Sequence, residues 1–89
     1  MTKKIWKFPL KAMDQNSIEM PIGAKILTVQ VQGVAICIWV LCDPSAKKET
    51  RHFEVYGTGQ EVIDDGTSKY LGTFQVANGE FVFHLFERY

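Results

Sequence analysis

The sequence predicts an all-β domain, a small antiparallel β-sandwich or partly open barrel of six to seven short strands. Three observations carry that prediction. Apolar and polar residues alternate over most of the chain, at the period of two that turns one face of a strand toward a core. Two such runs fold back on glycine-containing turns, at Gln32-Gly33 and Asn78-Gly79. No stretch of helical period exceeds about two turns, so the apolar faces must cover one another as packed or rolled sheets.

Taken in order, Ile5 to Leu10 sets Trp6, Phe8 and Leu10 against Lys7, a half-buried strand. Pro9 removes one ladder donor there and favours a sheet edge. Met13 to Asn16 reads as a turn, Ser17 to Met20 as a short return strand with Ile18 and Met20 inward, and Pro21-Ile22-Gly23 as a break. Lys25 to Cys42 is the organising hairpin. A turn at Gln32-Gly33 pairs Val31 with Val34, Val29 with Ile36 and Leu27 with Ile38 on one apolar face. The other face pairs Gln30 with Ala35, Thr28 with Cys37 and Ile26 with Trp39. The second strand of the hairpin is apolar on both faces and calls for cover on both sides. Cys37, Trp39 and Leu41 are therefore expected to lie against the hairpin at Tyr70–Arg88 or to form an interface with another molecule.

Asp43 to Thr50 reads as a turn and a charged loop, and Arg51 to Tyr56 alternates again with Phe53 and Val55 inward. Gly57-Thr58-Gly59 ends that strand. Gln60 to Ile63 is a short strand or an irregular run, and Asp64 to Ser68 a loop. Around Asn78-Gly79, Val76 pairs with Phe81, Phe74 with Phe83 and Gly72 with Leu85, where Gly72 leaves room for a larger neighbour. The opposite face pairs Thr73 with His84 and Leu71 with Phe86.

The length of 89 residues holds one domain, residues 1–89, with no room for a second core. Ten basic and ten acidic side chains cancel, which removes the global field that recruits nucleic acid or an anionic membrane. The longest apolar run, Val34 to Cys42, is far short of a membrane span. Behind the N-terminal lysines there is no long apolar stretch of the secretory kind. Cys37 and Cys42 face opposite ways on one strand and cannot bridge, which fits a reducing compartment. A cytosolic domain with spare sheet edges is the expectation, and with it a homodimer formed across an edge.

Little of the sequence carries chemistry. Cys37, Cys42, His52 and His84 are the soft metal ligands, and none has the local spacing that gathers ligands, so no metal or cofactor is expected. Cys37 with His84, or Asp64 with Asp65, would need a base and an orienting group that the sequence does not supply. The chain therefore reads as a non-enzyme. Gly57-Thr58-Gly59 could form a backbone nest for an anion, with Arg51 nearby and Tyr56 as a stacking surface. These five residues, Arg51, Tyr56, Gly57, Thr58 and Gly59, are the candidate ligand-binding set, for a nucleotide-like molecule. A tight corner between strands is the competing account, since no helix follows to complete a phosphate loop. Trp6, Trp39 and the tyrosines lack the basic groove that single-strand binding requires, so nucleic acid is not an expected partner.

Several stretches together resemble a family of small phage- and prophage-encoded proteins of unknown function. They are Ile5 to Leu10, Ile18-Glu-Met-Pro-x-Gly-Ala-Lys-Ile-Leu27, Val29 to Gln32, Trp39-Val-Leu-Cys-Asp43, Arg51, Gly57-Thr-Gly59, Gly72-Thr73 and Val82-Phe-His-Leu-Phe86. Cys42 departs from the aliphatic residue usual at its position, which weakens any catalytic role for it. The resemblance transfers no catalytic residues. It implies a phage accessory protein acting in the cytoplasm of the bacterial host. The expected function is non-enzymatic: binding and inhibiting a host protein, an antiviral-defence component of the kind anti-CRISPR proteins target. The alternative is an oligomeric sponge that sequesters a nucleotide-like signalling molecule.

Overall fold

A computed structural model describes residues 2–12 and 15–89. Seven strands follow one another: β1 (Lys4–Leu10), β2 (Gln15–Pro21), β3 (Lys25–Gln32), β4 (Ala35–Cys42), β5 (Lys48–Gly57), β6 (Ser68–Val76) and β7 (Phe81–Arg88). They form two antiparallel sheets, β1-β4-β3 and β2-β5-β7-β6, and no closed barrel. No helix among the described residues is long and apolar enough to cross a membrane.

β4, apolar on both faces, is the central strand of its sheet. It is laddered to β1 on one side and to β3 on the other. β1 is an edge, as Pro9 requires. The inward residues Val29, Ile36, Ile38 and Val40 join Met20, Phe53, Val55, Phe74 and Leu85 of the second sheet in a single core. Ile38, Val40, Phe53, Met20 and Leu85 lose all contact with solvent. Burying a side chain of this kind stabilises the fold by roughly 1.5–3 kcal/mol. The two sheets come closest at a seam between β3 and β6. There a Cβ on Gly72 would stand 2.7 Å from Val29 Cγ1, so the larger neighbour expected at Gly72 is Val29.

The β3–β4 hairpin differs in register from the sequence expectation. Gln32 pairs with Ala35, Val31 with Ile36 and Val29 with Ile38, so the turn residues are Gly33 and Val34. Gly33 has φ of +63°, while Val34 is fully exposed. Positive φ at the first turn residue alone suits glycine there and leaves the second position open to a β-branched residue. The turn moves by one residue and the cross-strand partners of Thr28 to Val31 by two, which leaves the face assignments of β4 intact. On β3 an irregularity between Ile26 and Thr28 sends Ile26 to the core and leaves Leu27 exposed, the reverse of the expected order.

At the other hairpin the expected pairs Val76–Phe81, Phe74–Phe83 and Gly72–Leu85 are present. The turn is longer, over residues 77–80, with positive φ at Ala77, Asn78 and Gly79. A bulge at Leu71 puts Tyr70 opposite Phe86. Of the turn expected at Met13–Asn16, Met13 and Asp14 lie outside the described residues, while Gln15 and Asn16 already belong to β2. Lys48 to Thr50 is strand and not loop, because it pairs with Pro21, Met20 and Glu19 of β2. Gln60 to Ile63 is irregular.

Candidate functional site

Three places on the molecule gather candidate side chains.

The first is a cleft of about 470 Å³ lined by Gly23, Ala24, Arg51, Glu87 and Tyr89 among others. Arg51 sits on the inward face of β5, in step with Phe53 and Val55, and Glu87 sits on the inward face of β7 opposite Phe53. The pair is bidentate: Arg51 Nε donates to Glu87 Oε2 at 2.6 Å and Nη2 to Oε1 at 2.7 Å. Arg51 Nη1 also donates to the carbonyl of Ala24, in the link between β2 and β3. Hydrogen bonding to Glu87 outweighs burial and raises the Arg51 pKa further above its ordinary value. The fork of the guanidinium is thus occupied by groups of the chain itself.

The second is the outer face of the four-stranded sheet. Phe86 stands between Tyr56 and Tyr70 with its ring edge-on to both, at centroid distances of 5.6 and 5.5 Å. Beside this row, Arg88 donates to Glu54 Oε1 through Nη2 at 2.6 Å, and the Tyr56 hydroxyl donates to the same oxygen at 2.7 Å. Burial pushes the Glu54 pKa up, and the hydrogen bonds from Arg88 and Tyr56 outweigh it, so the carboxyl ends below its ordinary range. The bond to Glu54 raises the Tyr56 pKa in turn. His84 is held on both ring nitrogens, by Thr58 Oγ1 at 2.8 Å and by Thr73 Oγ1 at 2.9 Å. His52 meets Ser17 Oγ through Nδ1 at 3.0 Å. A nucleophile would need its histidine oriented by a third group, and His52 has no such hydrogen bond among the described residues.

The third is the outer face of the three-stranded sheet, where Cys37, Trp39 and Leu41 lie. Cys37 is buried yet stands outside the core cluster, and Trp39 and Leu41 do not pack on that cluster either. Cover over β4 comes from within the sheet: Lys7 on β1 reaches across to Gln32 on β3, its Nζ donating to Oε1 at 2.7 Å. Ile5, 60% exposed, stands in register with Leu41 at one side of the face. The β6–β7 hairpin packs on the opposite, inward face.

The structure does not bring the five predicted ligand residues together. Arg51 faces the core side of β5, Tyr56 faces outward, and six residues of extended strand, about 20 Å, separate Arg51 from Gly57. At Gly57-Thr58-Gly59 the amides of Gly57 and Thr58 are engaged internally. Thr58 N donates to Val82 O at 3.2 Å, Gly57 N to Gln60 Oε1 at 3.0 Å and Gln60 N to Gly57 O at 3.1 Å. This is the hydrogen bonding of a tight corner. Sequence reasoning missed the Arg51–Glu87 pair, although a signal existed: each is a charged residue at an inward place in an otherwise apolar alternation.

Among the described residues no group of histidine, cysteine and carboxylate side chains is arranged to hold a metal ion. The chain matches no curated protein and no solved structure. Its whole length, residues 1–89, matches one family, and the chain belongs to it: the domain of unknown function DUF7352.

Proposed function

We propose that this protein is a non-enzymatic phage accessory protein that binds a bacterial host protein in the cytoplasm, as an inhibitor of antiviral defence. The observation that carries the reading is the outer face of the three-stranded sheet. Trp39, Leu41 and Ile5 form its apolar centre, and among the described residues only the neighbouring strands β1 and β3 of the same sheet give it cover. Tryptophan is among the residues that dominate the energetics of protein interfaces, and an apolar area open to solvent on a small domain marks a contact surface. The resemblance to phage-encoded proteins supplies the setting, and the internal engagement of Arg51 and of the Gly57 and Thr58 amides favours this reading over a nucleotide sponge. Two free edges, β1 and β2, also support a homodimer.

The test is affinity capture from lysate of a bacterial host with the purified chain as bait. A partner retained above background, and lost with Trp39→Ala and with Leu41→Asp, supports the role. Absence of any partner contradicts it.

A further inference from the structure

We infer that the outer face of the three-stranded sheet takes an acidic protein surface with an apolar centre. The inference rests on the binding role proposed above and names the chemistry of the partner. The charges of this neutral chain are segregated by sheet. Residues 2–11 and 25–42, which contain β1, β3 and β4, hold Lys3, Lys4, Lys7, Lys11 and Lys25 and not one acidic residue. Residues 15–21 and 48–89, which contain the other four strands, hold four basic and eight acidic side chains. Overall neutrality conceals one basic sheet and one acidic sheet.

On the outer face the basic groups stand beside the apolar ones. Lys7 is in register with Trp39, and Lys25 with Leu41. Both lysines are exposed. Lys7 uses one donor on Gln32 and keeps two for a partner. Asp43, the first residue beyond β4, turns its carboxylate to Ser45, accepting from N at 3.0 Å and from Oγ at 2.7 Å.

Charge separates the occupants this face could have. A second copy laid on it face to face would gather four lysines, Lys7 and Lys25 of each copy, on one contact surface with no carboxylate of that face to pair them, an unfavourable like-charge arrangement. Single-stranded nucleic acid takes a row of stacking aromatics in a basic groove, whereas this face offers one half-buried indole among aliphatic side chains. An acidic polypeptide meets both features, with carboxylates at Lys7 and Lys25 and an apolar side chain over Trp39 and Leu41.

The test is heteronuclear NMR of the full chain with three probes: a short peptide alternating glutamate and leucine, its lysine–leucine counterpart, and a single-stranded dT oligonucleotide. The expected result is that the glutamate peptide shifts the Trp39 indole and the β4 amides, and binds about tenfold more weakly to Lys7→Glu/Lys25→Glu. Shifts at this face only with the lysine peptide or the oligonucleotide overturn the inference, as does a glutamate peptide that leaves the face unmoved. So does a captured host protein that requires Trp39 yet tolerates Lys7→Glu/Lys25→Glu, a result that leaves the binding role standing. Capture indifferent to Trp39 and Leu41 defeats the role itself.

Discussion

Gly72 on β6 and Val29 on β3 close the seam between the two sheets, with no room for a single added methyl group. A Cβ on Gly72 would lie 2.7 Å from Val29 Cγ1, inside any real carbon–carbon contact. The seam is therefore set by one missing side chain. Gly72→Ala is expected to destabilise the fold by about 1–3 kcal/mol through overpacking. Urea unfolding of Gly72→Ala and of Gly72→Ala/Val29→Ala checks this. The double variant should lose less than the two single losses added together. Strict additivity would place the strain elsewhere.

The Arg51–Glu87 pair ties the inward ends of β5 and β7 to the link between β2 and β3, with Glu87 only 5% exposed. Leaving one of two buried charges without its partner is costly, whereas replacing both by apolar groups is much less so. Arg51→Met and Glu87→Leu are each expected to lose about 3 kcal/mol, and Arg51→Met/Glu87→Leu far less than either. Chemical denaturation of the three variants measures it. A harmless Arg51→Met would free that guanidinium for another role.

Acid should weaken the fold through Glu54. Its folded pKa lies below the ordinary 4.5 because Arg88 and Tyr56 hydrogen-bond the ionised form against the opposing effect of burial. A group with a depressed folded pKa contributes stability that is present above its unfolded value and lost as pH falls through the folded one. The melting temperature of the wild type should thus decline as pH drops below about 4.5, and Glu54→Gln should flatten that decline. Identical pH profiles for the two proteins would contradict the assignment.

Much of this fold is legible in the residue pattern, and the gaps have physical causes. The double apolarity of Val34 to Leu41 identifies a central strand, and Pro9 identifies an edge. The pairs from Val76–Phe81 to Gly72–Leu85 follow from alternation about one turn. The sequence does not separate a turn at Gln32-Gly33 from the observed one at Gly33-Val34, because a glycine serves at either central position and the backbone angle that decides between them leaves no mark in the residue pattern. The bulges at Leu27 and Leu71 are likewise silent, since each swaps one aliphatic or aromatic residue for another. Lys48 to Thr50 looks like loop because its pairing with β2 depends on a distant strand. Arg51 illustrates the limit at the candidate site. Its partner Glu87 lies 36 residues away, and only its inward place in the alternation hints that the fold uses it internally.

The central claim, that the outer face of the three-stranded sheet is the contact surface, is tested most directly by parallel capture from bacterial lysate with wild type, Trp39→Ala and Tyr70→Ala. Tyr70 is the matched control, an exposed aromatic on the outer face of the other sheet. The account predicts that wild type and Tyr70→Ala retain the same host protein and that Trp39→Ala, folded by its melting curve, does not. Equal retention by all three, or loss with Tyr70→Ala alone, would contradict it.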